Sequence, residues 1–186
     1  MAVAAHRDTR MRVAEYRDWI APRPDCERWE LLNGVPVRQE PQPGRHQRIV
    51  TNLLLGLGDL ADDQGGSAYP GLAILNPAMD FWVPYPDVVV QSMLTDGDGY
   101  ISDPLLIAEV LSPSTLVLDR GRKTEFYQSV PSLAGLLLVH QDEARVEVWR
   151  RTPNWTVHLA GPGANIDLPE LGGSLTVTDI YARLTL

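Results

Sequence analysis

One run of seven residues, Leu-Leu-Ile-Ala-Glu-Val-Leu at 105–111, constrains the fold more than any other part of the chain. Six of its seven residues are apolar, which is typical of a strand buried on both faces of a sheet. By the two-residue period of a strand, Glu109 shares one face with Ile107 and Leu111. A carboxylate in that position is costly unless a cation or a basic side chain pairs with it. The run therefore predicts a central strand that carries a buried acidic site.

Other segments have the apolar spacing of further strands and helices. The predicted strands are residues 28–32, 35–39, 72–76, 79–83, 88–93, 136–140, 145–151 and 155–160. The predicted helices are residues 10–19, 45–62 and 117–129. Asn33-Gly34 is typical of a two-residue hairpin turn. We expect an α/β fold with a central mixed β-sheet flanked by helices and with extra β-hairpins, in one domain over residues 1–186.

The composition, 44% apolar and 22% charged, is that of an ordinary globular protein. Cys26 is the single cysteine, so one chain can form neither an internal disulfide nor a cysteine-based zinc site. A reducing, cytoplasmic setting is the simplest expectation. The N-terminal residues soon become charged, and no apolar run approaches the roughly 20 residues of a membrane helix. We therefore expect neither a signal peptide nor membrane contact.

The net charge of −8 argues against a protein that coats DNA non-specifically, because such proteins are basic. It does not exclude an enzyme that acts on phosphodiesters. Acidic metal ligands add negative charge locally, and a bound cation reverses the field at the site.

Two further residues can join Glu109 in one site. Asp87 opens a predicted strand directly after Pro86, and Lys123 lies on the helix that follows the Glu109 strand. Lys123 shares a helical stripe with Leu116, Phe126, Tyr127 and Val130, so it should face the sheet. Two carboxylates can hold Mg²⁺ or Mn²⁺, and the lysine can stabilise charge on a phosphate. This set is the minimum for phosphodiester hydrolysis.

These residues resemble the motif of the PD-(D/E)XK nuclease superfamily, and more specifically the Uma-two family of restriction endonucleases. The matching stretches are WELLNG at 29–34, P-x-P-x-x-H at 41–46, PDVVV at 86–90, AEVLSPST at 108–115, DRGRK-x-x-x-Y at 119–127 and PSLAGLLLVHQDEARVEVWRR at 131–151. The resemblance covers roughly residues 10–185. The ordered set of EVLSPST followed by D-x-x-x-K-x-x-x-Y is its most specific part.

The resemblance implies a restriction-endonuclease-like core, with Asp87 and Glu109 as Mg²⁺ ligands and Lys123 as the catalytic base or stabiliser. It also implies DNA as the substrate, and cutting of both strands would suit a homodimer. The chain departs from the pattern at three positions. Leu111 stands where the usual motif has lysine, His140 where an aspartate is frequent, and Gly135 where an aromatic residue is frequent.

The resemblance adds His46 and Glu30 to the candidate site. From the residues alone, His46 on the apolar stripe of its helix can equally be a core histidine bonded to backbone, and Glu30 an exposed strand residue. Asp87 can be a turn residue, Glu109 and Lys123 a structural ion pair, and Lys123 a residue that reaches out to solvent. Three hypotheses stay open: a Mg²⁺-dependent endonuclease, a nuclease-fold protein that binds DNA or protein without cutting, and a glycosidase that uses Asp87 and Glu109.

Overall fold

The computed structural model describes residues 10–24, 26–93, 99–112 and 119–186, which form four α-helices and twelve strands. The helices are α1 (Val13–Ile20), α2 (Gly44–Asp63), α3 (Thr124–Ser129) and α4 (Val177–Ile180). The strands are β1 (Trp29–Leu32), β2 (Val35–Arg38), β3 (Ser67–Pro70), β4 (Ala73–Ile74), β5 (Val88–Gln91), β6 (Tyr100–Ile101), β7 (Leu106–Leu111), β8 (Gly135–His140), β9 (Val146–Thr152), β10 (Asn154–Ala160), β11 (Asn165–Leu168) and β12 (Gly173–Thr176).

A six-stranded mixed sheet with the order β10-β9-β8-β7-β5-β3 forms the centre of the molecule. Strands β7 and β8 are parallel, and the other neighbours in this sheet are antiparallel. All six residues of β7 are buried, as are all six of β8. The predicted central strand and the predicted α/β fold with a mixed sheet flanked by helices are therefore confirmed.

Helix α2 covers one face of this sheet. Its buried residues Ile49, Leu53 and Leu57 pack in one cluster with Val88 and Val110. Gly56 does not interrupt the helix, although glycine lowers helix stability by about 1 kcal/mol relative to alanine. A Cβ at this position would lie 2.5 Å from the Cδ1 atom of Leu175, so the glycine permits close packing against β12.

Helix α3 covers the opposite face, where Phe126, Tyr127 and Val130 pack against Ile107 and Leu111. The helix predicted over 117–129 is described from residue 119 onward, and Leu116 lies outside the described residues. A π-helical turn, Asp119–Lys123, precedes α3. Lys123 is buried at the end of this turn, as the predicted stripe requires, while Arg122 and Glu125 are exposed.

A separate two-stranded hairpin, β1–β2, lies on the side of the sheet that carries α3, where Leu32 packs against the same cluster as Phe126. Asn33 and Gly34 both have positive φ angles, 52° and 79°, so the turn predicted from Asn-Gly is confirmed. Leu31 is fully buried on one face of the hairpin, in a cluster with Tyr16 of α1 and Val83. Because side chains alternate along a strand, Glu30 lies on the opposite face.

The strand predicted at 79–83 is wrong. The segment folds as turns, in which the Asn76 side chain accepts a hydrogen bond from the Ala78 backbone and the Met79 backbone bonds back to Asn76. Only Val83 pairs with a strand, through an isolated bridge to Leu31. Pro77 and Pro84 bracket the segment and remove two backbone donors that a strand would use.

Within the described part of the chain, no helix combines the length and the apolar composition that crossing a bilayer would require.

Candidate active site

A cleft of about 250 Å³ opens between the β1–β2 hairpin and the end of the central sheet. Its walls include every residue that the sequence predicted for the site: Glu30, His46, Asp87, Glu109 and Lys123. These residues come from the hairpin, α2, the start of β5, the centre of β7 and the π-helical turn before α3. The fold therefore brings together side chains that span almost a hundred positions of the sequence.

Lys123 lies between two buried carboxylates. Its Nζ atom is 2.8 Å from Glu30 Oε1 and 3.4 Å from Glu109 Oε1, and each of the three side chains is at most 7% exposed. The backbone amide of Tyr85 donates a second hydrogen bond to Glu30 Oε1 at 2.8 Å. Glu30 is thus a buried partner of the lysine and not the exposed strand residue that its local sequence also allowed.

Tyr127 also reaches this cluster, and sequence reasoning did not assign it to the site. Its hydroxyl donates to Glu109 Oε1 at 2.7 Å, the same oxygen that faces Lys123. The signal was present in the K-x-x-x-Y spacing, because residues four positions apart on a helix share a face. A tyrosine on an apolar stripe is, however, equally typical of a core position.

Asp87 and Glu109 are neighbours across two strands. The antiparallel register of β5 and β7 ends with Val88 opposite Ala108, so Asp87 directly precedes that pair on one strand and Glu109 directly follows it on the other. The two side chains line one cleft, in which Asp87 lies against His46 of α2 and Glu109 against Lys123 and Tyr127. Two like charges in this arrangement destabilise the sheet unless something of opposite charge lies between or beside them.

The Asp87 side chain is fixed by backbone and by a histidine. Its Oδ2 atom accepts a hydrogen bond from the backbone amide of Val110 at 2.8 Å and lies 3.4 Å from His46 Nε2. His46 is 3% exposed, and among the described residues its Nδ1 atom has no hydrogen-bond partner. The histidine therefore faces the site rather than bonding to backbone in the core.

The charges of these side chains do not balance. Four carboxylates and two cationic side chains line the cleft, so negative charge is in excess around it: Glu30, Glu40, Asp87 and Glu109 against Arg38 and Lys123. Among the described residues, no three His, Cys, Asp or Glu side chains converge as the ligands of one metal ion. The neighbouring pair Asp87 and Glu109 is the carboxylate set that a cation could use here.

A protein-family comparison identifies the relatives of this chain. Residues 13–178 match the model of the Uma2 family, which is described as "Putative restriction endonuclease". The chain belongs to the Uma2 family. An uncharacterized protein of Synechocystis sp., sll1609, is 31% identical over 156 residues, which cover 76% of this chain and 84% of that protein. A second uncharacterized Synechocystis protein, slr1290, is 32% identical over 103 residues, 53% of this chain and 54% of that protein.

The fold is shared with a solved structure. The crystal structure of a "putative nuclease belonging to DUF820" from Anabaena variabilis superimposes with a TM-score of 0.71. The match covers 89% of this chain and 96% of that chain at 16% sequence identity. The two chains therefore have the same arrangement of sheet and helices.

Tyr85 lines the cleft of this Uma2 chain, and its side chain packs against the cluster of Tyr16, Leu31 and Val83. Burial and the nearby Tyr100 raise its pKa to about 12, and the Arg28 guanidinium opposes that rise. The hydroxyl therefore keeps its proton at any physiological pH.

A second, more polar cleft of about 470 Å³ adjoins the first and shares Asp87 with it. Two arginines and three glutamines are among the residues that line it: Arg28, Arg38, Gln39, Gln42 and Gln47. Guanidinium and amide groups are the usual partners of phosphate oxygens and base edges. Glu40 and Asp87 also line this cleft, so its charges balance, and it places two guanidinium groups directly beside the candidate site.

The positions that depart from the family pattern lie away from both clefts. His140 is buried and its Nε2 atom lies 2.9 Å from Glu147 Oε1. Gly135 stands at the opposite end of β8, where a Cβ would approach Glu170 Oε1 to 2.7 Å. Glu170 in turn bonds to Arg150 at 2.8 Å, so an ion pair occupies the space that a larger residue at 135 would need.

Proposed function

We propose that this Uma2 protein is a metal-dependent endonuclease that hydrolyses DNA phosphodiester bonds, with Asp87 and Glu109 as ligands of Mg²⁺ or Mn²⁺ and Lys123 as the residue that stabilises the phosphate. The observation that carries the proposal is the convergence of Asp87, Glu109 and Lys123 from three separate elements on one cleft. Membership of a family described as restriction endonucleases supports the same chemistry.

The donor set fits a hard cation. Mg²⁺ is usually bound through one or two protein carboxylates, and waters and substrate phosphates complete its shell. Asp87 and Glu109 supply two carboxylates to one cleft, whose lining carries excess negative charge. A bound divalent cation would polarise a phosphoryl oxygen and lower the pKa of a bound water.

The remaining residues of the cleft hold Lys123 and Asp87 in position. Glu30 and Glu109 hold the Lys123 ammonium at the cleft, where it can donate to a phosphate oxygen as negative charge develops. Val110 and His46 hold Asp87 in place through its Oδ2 atom. When His46 Nε2 carries the proton that faces Asp87, its Nδ1 atom, which is buried without a partner among the described residues, is left as an acceptor.

The test is cleavage of supercoiled plasmid DNA with Mg²⁺ or Mn²⁺. We expect Asp87→Asn and Glu109→Gln to lower the cleavage rate by at least about 10²-fold, the range found when one electrostatic group is removed from an active site. Glu170→Gln is the matched control, because Glu170 is 9% exposed in an ion pair remote from the cleft, compared with 6% for Glu109.

A second measurement separates metal binding from cutting. Mn²⁺ should raise the melting temperature of the native protein and of Glu170→Gln, but not that of Asp87→Asn or Glu109→Gln, because a ligand that binds only the folded state stabilises it. No cutting with any divalent metal, together with no metal-dependent rise in melting temperature, would refute the proposal.

The second candidate function is a nuclease-fold protein that binds DNA or another protein without cutting DNA. The net charge of −8 and the lack of a three-ligand cluster among the described residues favour this reading. It predicts DNA binding that Glu109→Gln leaves intact and no cleavage under any condition. The glycosidase reading has less support, because the Lys123 ammonium beside Glu109 suits a phosphate better than a sugar.

Cutting both strands of a duplex takes two copies of one such site. We therefore propose that the active form on duplex DNA is a homodimer. Sedimentation of the protein alone and with a short duplex measures this state, and a monomer that cuts both strands in one encounter would contradict it.

A further inference from the structure

A small apolar slot adjoins the candidate active site on the same face of the hairpin. The slot has a volume of about 140 Å³ and is lined by Leu32, Asn33, Val37, Trp82, Arg122 and Lys123. Leu32, Val37 and Lys123 also line the 250 Å³ cleft, so the two cavities share a wall. The chemistry proposed above makes use of Lys123 alone among these six.

The apolar part of the slot comes from the hairpin and from one aromatic ring. Leu32 and Val35 are paired across the hairpin, as are Glu30 and Val37, so all four side chains lie on the face that carries Glu30. Val35 is 56% exposed and Val37 36% exposed. Trp82 is held against Phe126, with ring centroids 6.1 Å apart and planes 27° apart. Apolar surface left open beside a polar site often marks a place where a ligand binds.

The polar groups of the slot stand at its rim. The Asn33 Oδ1 atom accepts a hydrogen bond from Arg10 at 3.0 Å. The amino group of the same side chain is therefore the end that can donate to a ligand. Arg122 is exposed and adds a guanidinium. An apolar wall with a donor at its edge fits a flat heteroaromatic ring, which has an apolar face and acceptors along its rim.

We propose that this slot receives the base of a nucleotide next to the phosphate that is cut, so that the protein acts on DNA where a base is unstacked: single strands, loops or mismatched positions. The inference rests on the proposed function and specifies the substrate of the same site. A volume several times the roughly 30 Å³ of one water holds a single base but not a base pair.

The relation between the two cavities supports this assignment. Lys123 lies where the slot meets the cleft, so a phosphate beside its Nζ atom would have its own nucleotide's base within reach of the slot. The net charge of the chain points the same way. A protein of charge −8 gains little from counterion release along a duplex, and contact with an unstacked base supplies affinity that depends less on phosphate contacts.

The test uses short oligonucleotides that carry 2-aminopurine, whose emission reports stacking of that base. The full-length protein is titrated without divalent metal against a single strand, a duplex with one mismatch and a fully paired duplex. We expect roughly tenfold tighter binding of the first two, with a change in 2-aminopurine emission that the paired duplex does not give.

Two variants test the slot itself. Val37→Ser removes an exposed apolar wall, and Asn33→Gly removes the amide while it keeps the left-handed turn. Both should weaken single-strand binding several-fold, and Asn33→Gly, whose side chain lines the slot and not the active-site cleft, should leave paired-duplex binding unchanged. Val157→Ser is the matched control, because Val157 is 46% exposed on the edge strand β10, which lies away from the slot.

The outcomes separate this inference from the proposed function. Metal-dependent cutting that Glu109→Gln abolishes, with equal binding of paired and unpaired DNA and no difference between Val37→Ser and Val157→Ser, overturns the base slot alone. Binding that depends on an unstacked base, without cutting under any metal, would support the base slot and refute the proposed nuclease activity. No binding of any oligonucleotide overturns the inference.

Discussion

At the scale of single residues, Glu30 shows how much of the site depends on a long-range contact. It is buried, it pairs with Lys123 at 2.8 Å, and its carboxylate also accepts the Tyr85 amide. Glu109 lies 3.4 Å from the same ammonium. The closer partner of the proposed catalytic lysine is therefore a residue of the hairpin and not the proposed metal ligand.

Glu30→Gln is expected to weaken the placement of Lys123 and to leave metal binding in place. Loss of a charged hydrogen-bond partner should lower the free energy of unfolding by about 1.5–3 kcal/mol. A misplaced lysine should lower the cleavage rate by up to about 10²-fold. The rise in melting temperature with Mn²⁺ should persist, in contrast to Glu109→Gln. A variant that also loses the Mn²⁺ effect would show that Glu30 is a ligand.

At the scale of elements, Tyr181 at the end of α4 holds the turn between β8 and β9. Its hydroxyl lies 2.6 Å from the His140 carbonyl oxygen and 2.9 Å from that of Arg145, and it accepts the Arg145 amide. Burial is the largest cause that raises its pKa above the ordinary value of a tyrosine. Burial likewise raises the pKa of Tyr16 under the hairpin.

The raised pKa values of Tyr16 and Tyr181 predict that the protein loses stability at alkaline pH. Below about pH 10 both the folded and the unfolded states keep the phenol proton. Above that pH the unfolded chain releases it while the folded chain retains it, so stability falls as pH rises, by about 1.4 kcal/mol per pH unit for each such group. Urea unfolding between pH 8 and pH 11 should show this fall.

Tyr181→Phe should remove one of the groups that lower the free energy of unfolding at alkaline pH. The variant is expected to be less stable at neutral pH, because it loses its hydroxyl bonds. Its stability should decline less steeply with pH than that of the native chain. Equal slopes in the two proteins would show that Tyr181 ionises as readily in the folded state as in the unfolded one.

Elements that follow from local pattern were predictable, and contacts that depend on docking were not. The apolar run around Glu109 predicted β7 because a strand covered on both faces needs apolar residues throughout. Asn33-Gly34 predicted its turn for an equally local reason. The segment 79–83 looked like a strand, but its neighbours leave only Val83 a partner. The Glu30–Lys123 contact requires the hairpin to dock on the sheet, and no local sequence pattern predicts that docking.

At the scale of the whole molecule, negative charge is the dominant property, and the arginines beside the candidate site stand out against it. Arg38 lines both clefts, and its side chain is 55% exposed. Each phosphate contact releases counterions, so the logarithm of the DNA-binding constant falls linearly with the logarithm of salt concentration.

Arg38→Gln is expected to lower the magnitude of that salt slope by about 1, with weaker binding of every DNA sequence to a similar degree. Arg183→Asn is the control, because Arg183 is an exposed arginine outside both clefts and asparagine tolerates its positive φ of 64°. If the two variants have the same slope, Arg38 makes no phosphate contact.

Strand β2 of the hairpin can accept substitutions with little loss of stability. Strand β2 is mostly exposed, so substitutions at Val35, Val37 and Arg38 should alter stability by no more than about 0.5 kcal/mol. Val37 and Arg38 nevertheless border the slot and the polar cleft, respectively, while Asp87, Glu109 and Lys123 lie on other elements. Mutation of this short ribbon can therefore diversify what the protein recognises while the chemistry beneath it is inherited unchanged.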